Sequence, residues 1–403
     1  MRGNGERVAG RPGYVAFAVH LWTVFGIALS NIAGGVALLF WLKERPALDR
    51  RARAVLLPVG LYSLCVILAI AFSANPRGSL GGARELLTLL TLPLALSLVR
   101  GARDTRRIVD GLIVMAAGSA LWGLYQLFIG YGGIDQRIRG PFSHWMTFAG
   151  ILLLADLLLI SQLVSGRGVK TAWRWVALAL INVGLIGCLT RGAWIAAAMS
   201  IALVMLLRAP RWLAVFAALL LALLLLSPTP VRDRALSIAD MGNFSNYDRL
   251  CMLEAGWRMV AERPVLGHGP EMVRERYPIY RHPTAPRNWV PHLHNNVVQI
   301  AAEEGVVAAA AFLWLMAVAA WTAFRHYRRE RLSSRPAATS ASDLYLGALG
   351  ALVAFNLAGM FEFNWGDTEV QRLALFVVAL PFCASAAAEG EDVAAAGADE
   401  EGA

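Results

Sequence analysis

The chain has 403 residues, 57% of them hydrophobic and 16% charged, and its mean hydropathy is +0.53, a balance foreign to an ordinary soluble domain. A net charge of +9 raises the question of nucleic acid, but Lys43 and Lys170 are the only lysines and no basic stripe carries interleaved aromatics, so nucleic acid is not expected as a partner. Cys65, Cys188, Cys251 and Cys383 show no CxxC spacing, and a disulfide framework or thiolate metal site does not follow.

The first residues, "MRGNGERVAGR", are basic and run into an apolar stretch without a small-residue cleavage site, which reads as a retained segment and not a signal peptide. Apolar runs follow at about 14–42, 54–73, 84–99, 108–130, 143–164, 172–189, 192–207, 211–227, 296–322, 343–362 and 370–386. Most approach the roughly 20 residues needed to cross a bilayer as a helix. None alternates as a barrel strand would. Turn-forming residues in "SNIAGG", Ser30 to Gly35, divide the first run into two helices. The expected fold is therefore an all-α polytopic membrane protein of about 12 transmembrane helices, nine within 1–227 and three within 296–387. Residues 228–295 form one large loop, and 388–403 an acidic, disordered cytoplasmic tail.

Sidedness follows from the basic residues. Six alternate connections hold 22 of the 37, both lysines included, which marks them as cytoplasmic. The 228–295 loop is then exterior, with membrane lipids around the bundle. Within it, "NFSNYDRLCMLEAGWRMVAERP" reads as an amphipathic helix capped by Ser245 or Asn246 and stopped by Pro264. Leu250, Leu253, Trp257 and Val260 share one face. Arg249 lies beside that face, whereas Arg258 points away and pairs with Glu254 four residues earlier.

Polar groups gather on the exterior side. "DQRIRGPFSHW" supplies Arg137, Arg139 and His144; "LTRGAW" supplies Thr190 and Arg191 at a helix start; the loop adds Arg249 and, in "LGHGP", His268. "HLHNNVVQIAAEEG" and "FEFNWGDTEV" follow, the latter with Glu362, Asn364, Asp367 and Glu369. Arg191 is read as an anion clamp, because a guanidinium is always charged and grips phosphate oxygens in a fork; a snorkelling interfacial arginine is the alternative. Helical spacing aligns Asn295, Asn296, Gln299 and Glu303 as a polar stripe facing a wet cavity. His294 stands at the helix entrance, placed to act as a general base or merely to cap the helix. A metal held by His292 and His294, with His268 or Glu303, is the rival reading. A bare HxH lacks the third ligand of defined geometry that a catalytic zinc needs, so neither metal nor cofactor is expected.

Together these residues resemble the O-antigen ligase and polymerase superfamily of bacterial envelope glycosyltransferases. His294, Asn295 and Gly305 fit the ligase pattern of His, then Asn, Ser or Gln, nine residues, Gly, two residues and Gly, Thr or Tyr; Ala308 departs from its last position. Arg191 matches the family's exterior "RG", with Ile195 in place of Leu four residues on, and Arg249 followed by "PVLGHGP" matches its loop pattern. The resemblance implies the C-type membrane glycosyltransferase fold and a periplasmic active site at the bacterial inner membrane. It implies a polysaccharide donor on undecaprenyl pyrophosphate, a lipid A-core acceptor, lipopolysaccharide as product and a metal-independent reaction. His294, Arg191 and Arg249 would be catalytic, and Arg137, Arg139, His268, Asn295, Gln299 and Glu303 would contact substrate. The alternatives are an O-antigen polymerase, a protein O-oligosaccharyltransferase, and a transporter of lipid-linked sugar, which would want polar groups through the midplane.

Overall fold

The computed structural model describes residues 12–45, 50–240, 242–333 and 340–385; the basic first residues and the acidic tail lie outside the described residues. What it describes is helical, with no strand among the described residues. In chain order come α1 (Pro12–Trp22), α2 (Ile27–Glu44), α3 (Arg53–Ala71), α4 (Pro76–Ser79), α5 (Ala83–Leu89) and α6 (Thr91–Leu98). Then follow α7 (Gly101–Phe128), α8 (Trp145–Val164), α9 (Ala172–Gly187), α10 (Arg191–Arg208), α11 (Leu213–Leu226) and α12 (Thr229–Leu236). The last six are α13 (Phe244–Glu262), α14 (Val273–Tyr280), α15 (Asn296–Glu304), α16 (Val306–Leu332), α17 (Ser342–Ala358) and α18 (Thr368–Ser385).

Seven helices, α2, α3, α7, α8, α10, α16 and α18, are long and apolar enough to cross a membrane. The number becomes eight if the segment ending in α11 and the α12 that follows it, bent by 116°, count as one span. The chain is thus a multi-pass membrane protein, but the twelve spans expected from the sequence are not shown. The shortfall has local causes. α9 and α17 are apolar yet only 16 and 17 residues long. The run at 84–99 is divided at Leu90 into α5 and α6. The first run does divide in two, as expected, but at Thr23–Gly26 and not at Ser30–Gly35, leaving α1 with 11 residues packed against α2.

α8, α17 and α18 form the centre, with α8 and α18 buried on nearly every face. α17 packs on α8, α10, α16 and α18. α11 is apolar all round and buries no residue, as a helix does when lipid and not protein surrounds it. α7 spans about 40 Å at 1.5 Å per residue, and the two ends it joins treat their charges differently. At its start, Arg106 and Arg167 meet Asp343 at 3.0 Å each, and Arg174 meets Asp110 at 3.2 Å. At the other end Arg287 meets Asp248 at 3.3 Å, but Arg137, Arg191, Arg234 and Arg249 make no ion pair among the described residues.

Candidate active site

Leu189 has φ of 51°, a left-handed conformation that side chains rarely adopt, and it turns the chain from α9 into α10. The turn presents its carbonyl to Arg137 Nη1 at 3.4 Å and Arg234 Nε at 3.2 Å. Arg191, first residue of α10 and only 5% exposed, donates to the Ser237 carbonyl at 2.6 Å, Ser237 Oγ at 2.8 Å and Asn246 Oδ1 at 2.7 Å. It is held inside the protein, which excludes the snorkelling alternative. Arg137 also lies over the Trp145 ring, 5.0 Å from its centroid, a cation–π contact. Arg249 donates to Ser245 Oγ at 3.3 Å, and its Nε is buried without a partner.

These four arginines contact carbonyls, hydroxyls, an amide and a ring, and none makes an ion pair among the described residues. Burial and the charges of Arg137, Arg191 and Arg249 together lower Arg234 to about 10. Gathering four guanidinium groups is costly when only carboxylates outside ion-pair distance, Asp135, Asp240, Asp248 and Glu362, offset them, and such a cluster is suited to an anion.

Arg249 also feels Glu362, which joins the cluster to a second group. His294 Nδ1 lies 2.9 Å from Glu362 Oε2, and His292 Nε2 lies 3.5 Å from Oε1. Burial pushes the Glu362 carboxyl up, but the charge and hydrogen bond of His294, with His292 and Arg249, outweigh it and hold it at about 2. An ionised carboxylate only accepts, so His294 Nδ1 is the donor, and in the neutral form of the ring Nε2 carries the free lone pair. His294 itself has φ of 52°, a strained conformation for a residue with a side chain.

The strain is held by a zipper of bonds between two connections. Asn295 caps α15 by accepting from Val298 N–H at 3.0 Å and donates to the Met360 carbonyl at 3.2 Å. Asn296 N–H donates to the Gly359 carbonyl at 2.7 Å, and its side chain joins Asn364 at 2.6 Å and Trp365 N–H at 3.1 Å. Gln299 accepts from Leu293 N–H at 2.8 Å. Glu303 accepts from Val273 N–H at 2.8 Å. Of the stripe expected to face a wet cavity, Asn296, Gln299 and Glu303 are buried instead and Asn295 is half-buried; Asn295, Asn296 and Gln299 brace the backbone on either side of His294, and Glu303 braces α14.

"PVLGHGP" is likewise structural in this chain. It clasps the break between α15 and α16 through His268 N–H to the Ala302 carbonyl at 2.9 Å, Gly269 N–H to Glu303 at 2.8 Å and Val306 N–H to Pro264 at 2.8 Å. Both halves need glycine: a Cβ on Gly267 would sit 2.3 Å from the Glu303 carbonyl oxygen, and one on Gly305 would sit 2.0 Å from that of Val265. His268, 1% exposed, bonds the Met259 carbonyl at 3.1 Å. It stands among Glu262, Arg263 and Arg276, not with His294.

Of the residues read from the sequence as site groups, the structure brings together Arg137, Arg191, Arg249 and His294. Arg139 is exposed and donates to the Ser143 carbonyl at 3.1 Å, beside His144. The remaining four, His268, Asn295, Gln299 and Glu303, serve as bracing. Sequence reasoning assigned no role to Arg234 or Glu362, and named His292 only as a ligand in the rival metal reading. Glu362 had a signal, a carboxylate in a short connection between apolar runs; Arg234 had none among nine loop arginines.

His292 makes the site acid-sensitive. Burial, aided by His294, His144 and Arg249, holds it at about 4 against an ordinary 6.5, so between those values the unfolded chain binds a proton that the folded chain refuses. Stability from this residue is complete above pH 6.5 and is lost as pH falls to about 4. With about a quarter of the side chain exposed, the loss is about 1–2 kcal/mol. The expected result is that apparent Tm falls between pH 7 and 4.5 in the native chain and falls less in His292→Asn.

A cluster of arginines adjoining a histidine–carboxylate pair, at one end of a helical membrane bundle, is an arrangement suited to an anionic group. The family model for O-antigen ligase matches residues 175–313, the span holding Arg191, Arg234, Arg249, His292 and His294. That segment, about a third of the chain, is similar to the O-antigen ligase domain. No curated protein matches the chain.

Proposed function

We propose that this chain transfers O-antigen polysaccharide from undecaprenyl pyrophosphate to a hydroxyl of lipid A-core, at the periplasmic face of the inner membrane, with inversion and without a metal. The observation that carries this is the quartet of arginines that make no ion pair among the described residues, with Arg249 within electrostatic reach of the His294–Glu362 pair. The donor's pyrophosphate sits among Arg137, Arg191, Arg234 and Arg249. Its isoprenoid chain follows an apolar groove of about 290 Å³ lined by Trp194, Ile201, Phe216, Leu220 and Ile238, the last of which follows the Ser237 bound by Arg191 in sequence.

In the transfer, the acceptor oxygen attacks the anomeric carbon as the bond from that carbon to the pyrophosphate oxygen breaks. The hydroxyl proton passes to His294 Nε2, and Glu362 balances the imidazolium that forms. The charge developing on the leaving pyrophosphate is met by guanidinium groups already in place. A polymerase, whose acceptor is another lipid-linked glycan, would use the same chemistry.

One observation favours a second reading. The ligand atoms of His292, His294 and Glu362 lie within 4.8 Å of one another, a spacing that would also suit a divalent cation. One assay tests both: the purified chain with undecaprenyl-pyrophosphate glycan and lipid A-core, with and without EDTA. Joined product, undiminished by EDTA, is expected. Activity lost in EDTA and restored by a metal would select the cation reading, and lengthening of the donor without lipid A-core would select polymerase.

A further inference from the structure

A second cavity lies between α2, α5–α6 and the start of α18. It measures about 440 Å³ and is lined by His20, Asn31, Gly35, Arg84, Thr368 and Arg372 among others. Arg372, on a membrane-spanning helix and 5% exposed, donates to Ser30 Oγ at 2.8 Å and to Asn31 Oδ1. Its Nε is buried without a partner. It makes no ion pair among the described residues: Glu369, one turn earlier, lies close enough for its charge to be felt but is hydrogen-bonded with Asp367. A charged side chain at membrane depth is expensive and points to a ligand of opposite charge. Arg84 is exposed at the mouth, as are the apolar Ile27 and Leu87 on the same walls, so the cavity opens where lipid chains would lie.

This cavity is distinct from the arginine quartet. α2 packs on α1 and α6, while α10, which carries Arg191, packs on α8, α9, α11 and α17. Yet Thr368 follows Glu362 by six residues, which caps their separation at about 20 Å.

We propose that the groove holds the phosphate headgroup of a second membrane lipid, with Arg372 as the buried cation and Arg84 at the entrance. On the transfer reading given above, on which this last step rests, that lipid is the phosphorylated acceptor, whose sugars extend from the groove to His294. The two lipids then enter from different sides of the bundle and meet at the Glu362 connection.

The test measures lipid binding to the full chain by native mass spectrometry, with bis-phosphorylated lipid A, its unphosphorylated counterpart, undecaprenyl phosphate and inorganic phosphate as probes. Arg372→Gln should weaken lipid A binding at least about tenfold, the size of one charge-assisted contact, and leave undecaprenyl phosphate binding unchanged. Gly35→Phe should do the same by filling the groove, since a Cβ there meets nothing within 4 Å. Arg191→Ala should show the converse pattern. Native-like lipid A binding by both Arg372→Gln and Gly35→Phe would overturn the proposal. So would equal binding of the unphosphorylated lipid, or displacement of lipid A by equimolar inorganic phosphate, which would mark a site for a free anion. If the binding pattern holds while no transfer occurs with native substrates, the reaction reading fails and the groove stands; if transfer occurs without the pattern, the groove alone fails.

Discussion

His294→Ala is expected to lower transfer about a thousandfold, within the range that loss of a general base costs, with the fall in kcat and little change in KM. Glu362→Gln sharpens the test because it keeps the histidine and the shape of the site. Its amide can donate to Nδ1, which forces the proton onto Nε2 and removes the lone pair that takes the acceptor's proton. A loss of at least about a hundredfold is expected, by analogy with other histidine–carboxylate pairs. Turnover of each variant with saturating donor and acceptor checks both; a Glu362→Gln enzyme at native rate would remove the carboxylate from the mechanism.

Arg249→Gln should cost about 10²–10³ in transfer, the usual loss when one preorganised donor to a developing anion is removed. This position separates catalysis from folding. Arg249 makes one long bond to Ser245 and leaves Nε unpartnered, so removing the charge should leave Tm unchanged or raise it. Arg249→Lys should not restore activity, because an ammonium lacks the planar fork. Arg191→Ala should lose transfer to a similar degree but also lower Tm, since Arg191 ties α12 and α13 to α10 through Ser237 and Asn246. Arg258→Ala, an exposed partner of Glu254 at 2.5 Å, should stay within about twofold of native.

The sequence made the helical membrane class legible because burying backbone in lipid forces long uninterrupted apolar runs. It made the span count illegible, since breaks such as that at Leu90 are set by neighbours in the fold and not by turn residues. The loop helix is instructive. It was expected over the residues that form α13, and both its stop before Pro264 and the Arg258–Glu254 pair are present, but Asn243 is the cap and the buried face differs. Leu250 and Trp257 are exposed and Leu253 is half-buried, whereas Val260 is buried as expected, together with Met252, Ala255, Gly256 and Met259. Small residues chose the face: Gly256 approaches Val298 and Leu293 so closely that a Cβ would meet them at 2.4 and 2.7 Å. Side-chain size alone pointed the wrong way.

The site was partly legible for a related reason. Arg137, Arg191, Arg249 and His294 stood out because charge beside an apolar run needs an explanation. Glu362 sits 68 residues from His294, and no local spacing connects them. The polar residues around His294 attracted attention by the same rule, but Asn295, Gln299 and Glu303 spend their polarity on backbone, which a sequence does not distinguish from polarity aimed at substrate.

The clasp at Gly267 and Gly305 also bears on how this kind of chain can drift. α13 runs from Arg249 to the clasp without slack, so Arg249 and His294 are indexed to each other by a fixed number of residues on one side of the fastening. A single insertion between Arg249 and Gly267 would rotate the guanidinium by about 100° about the helix axis, away from Glu362. On the far side, α14 is fastened to α15 through Val273 N–H and Glu303, and Arg287 reaches back to Asp248 at 3.3 Å. Natural variation in length, and tags or labels introduced by design, should be fatal within α13.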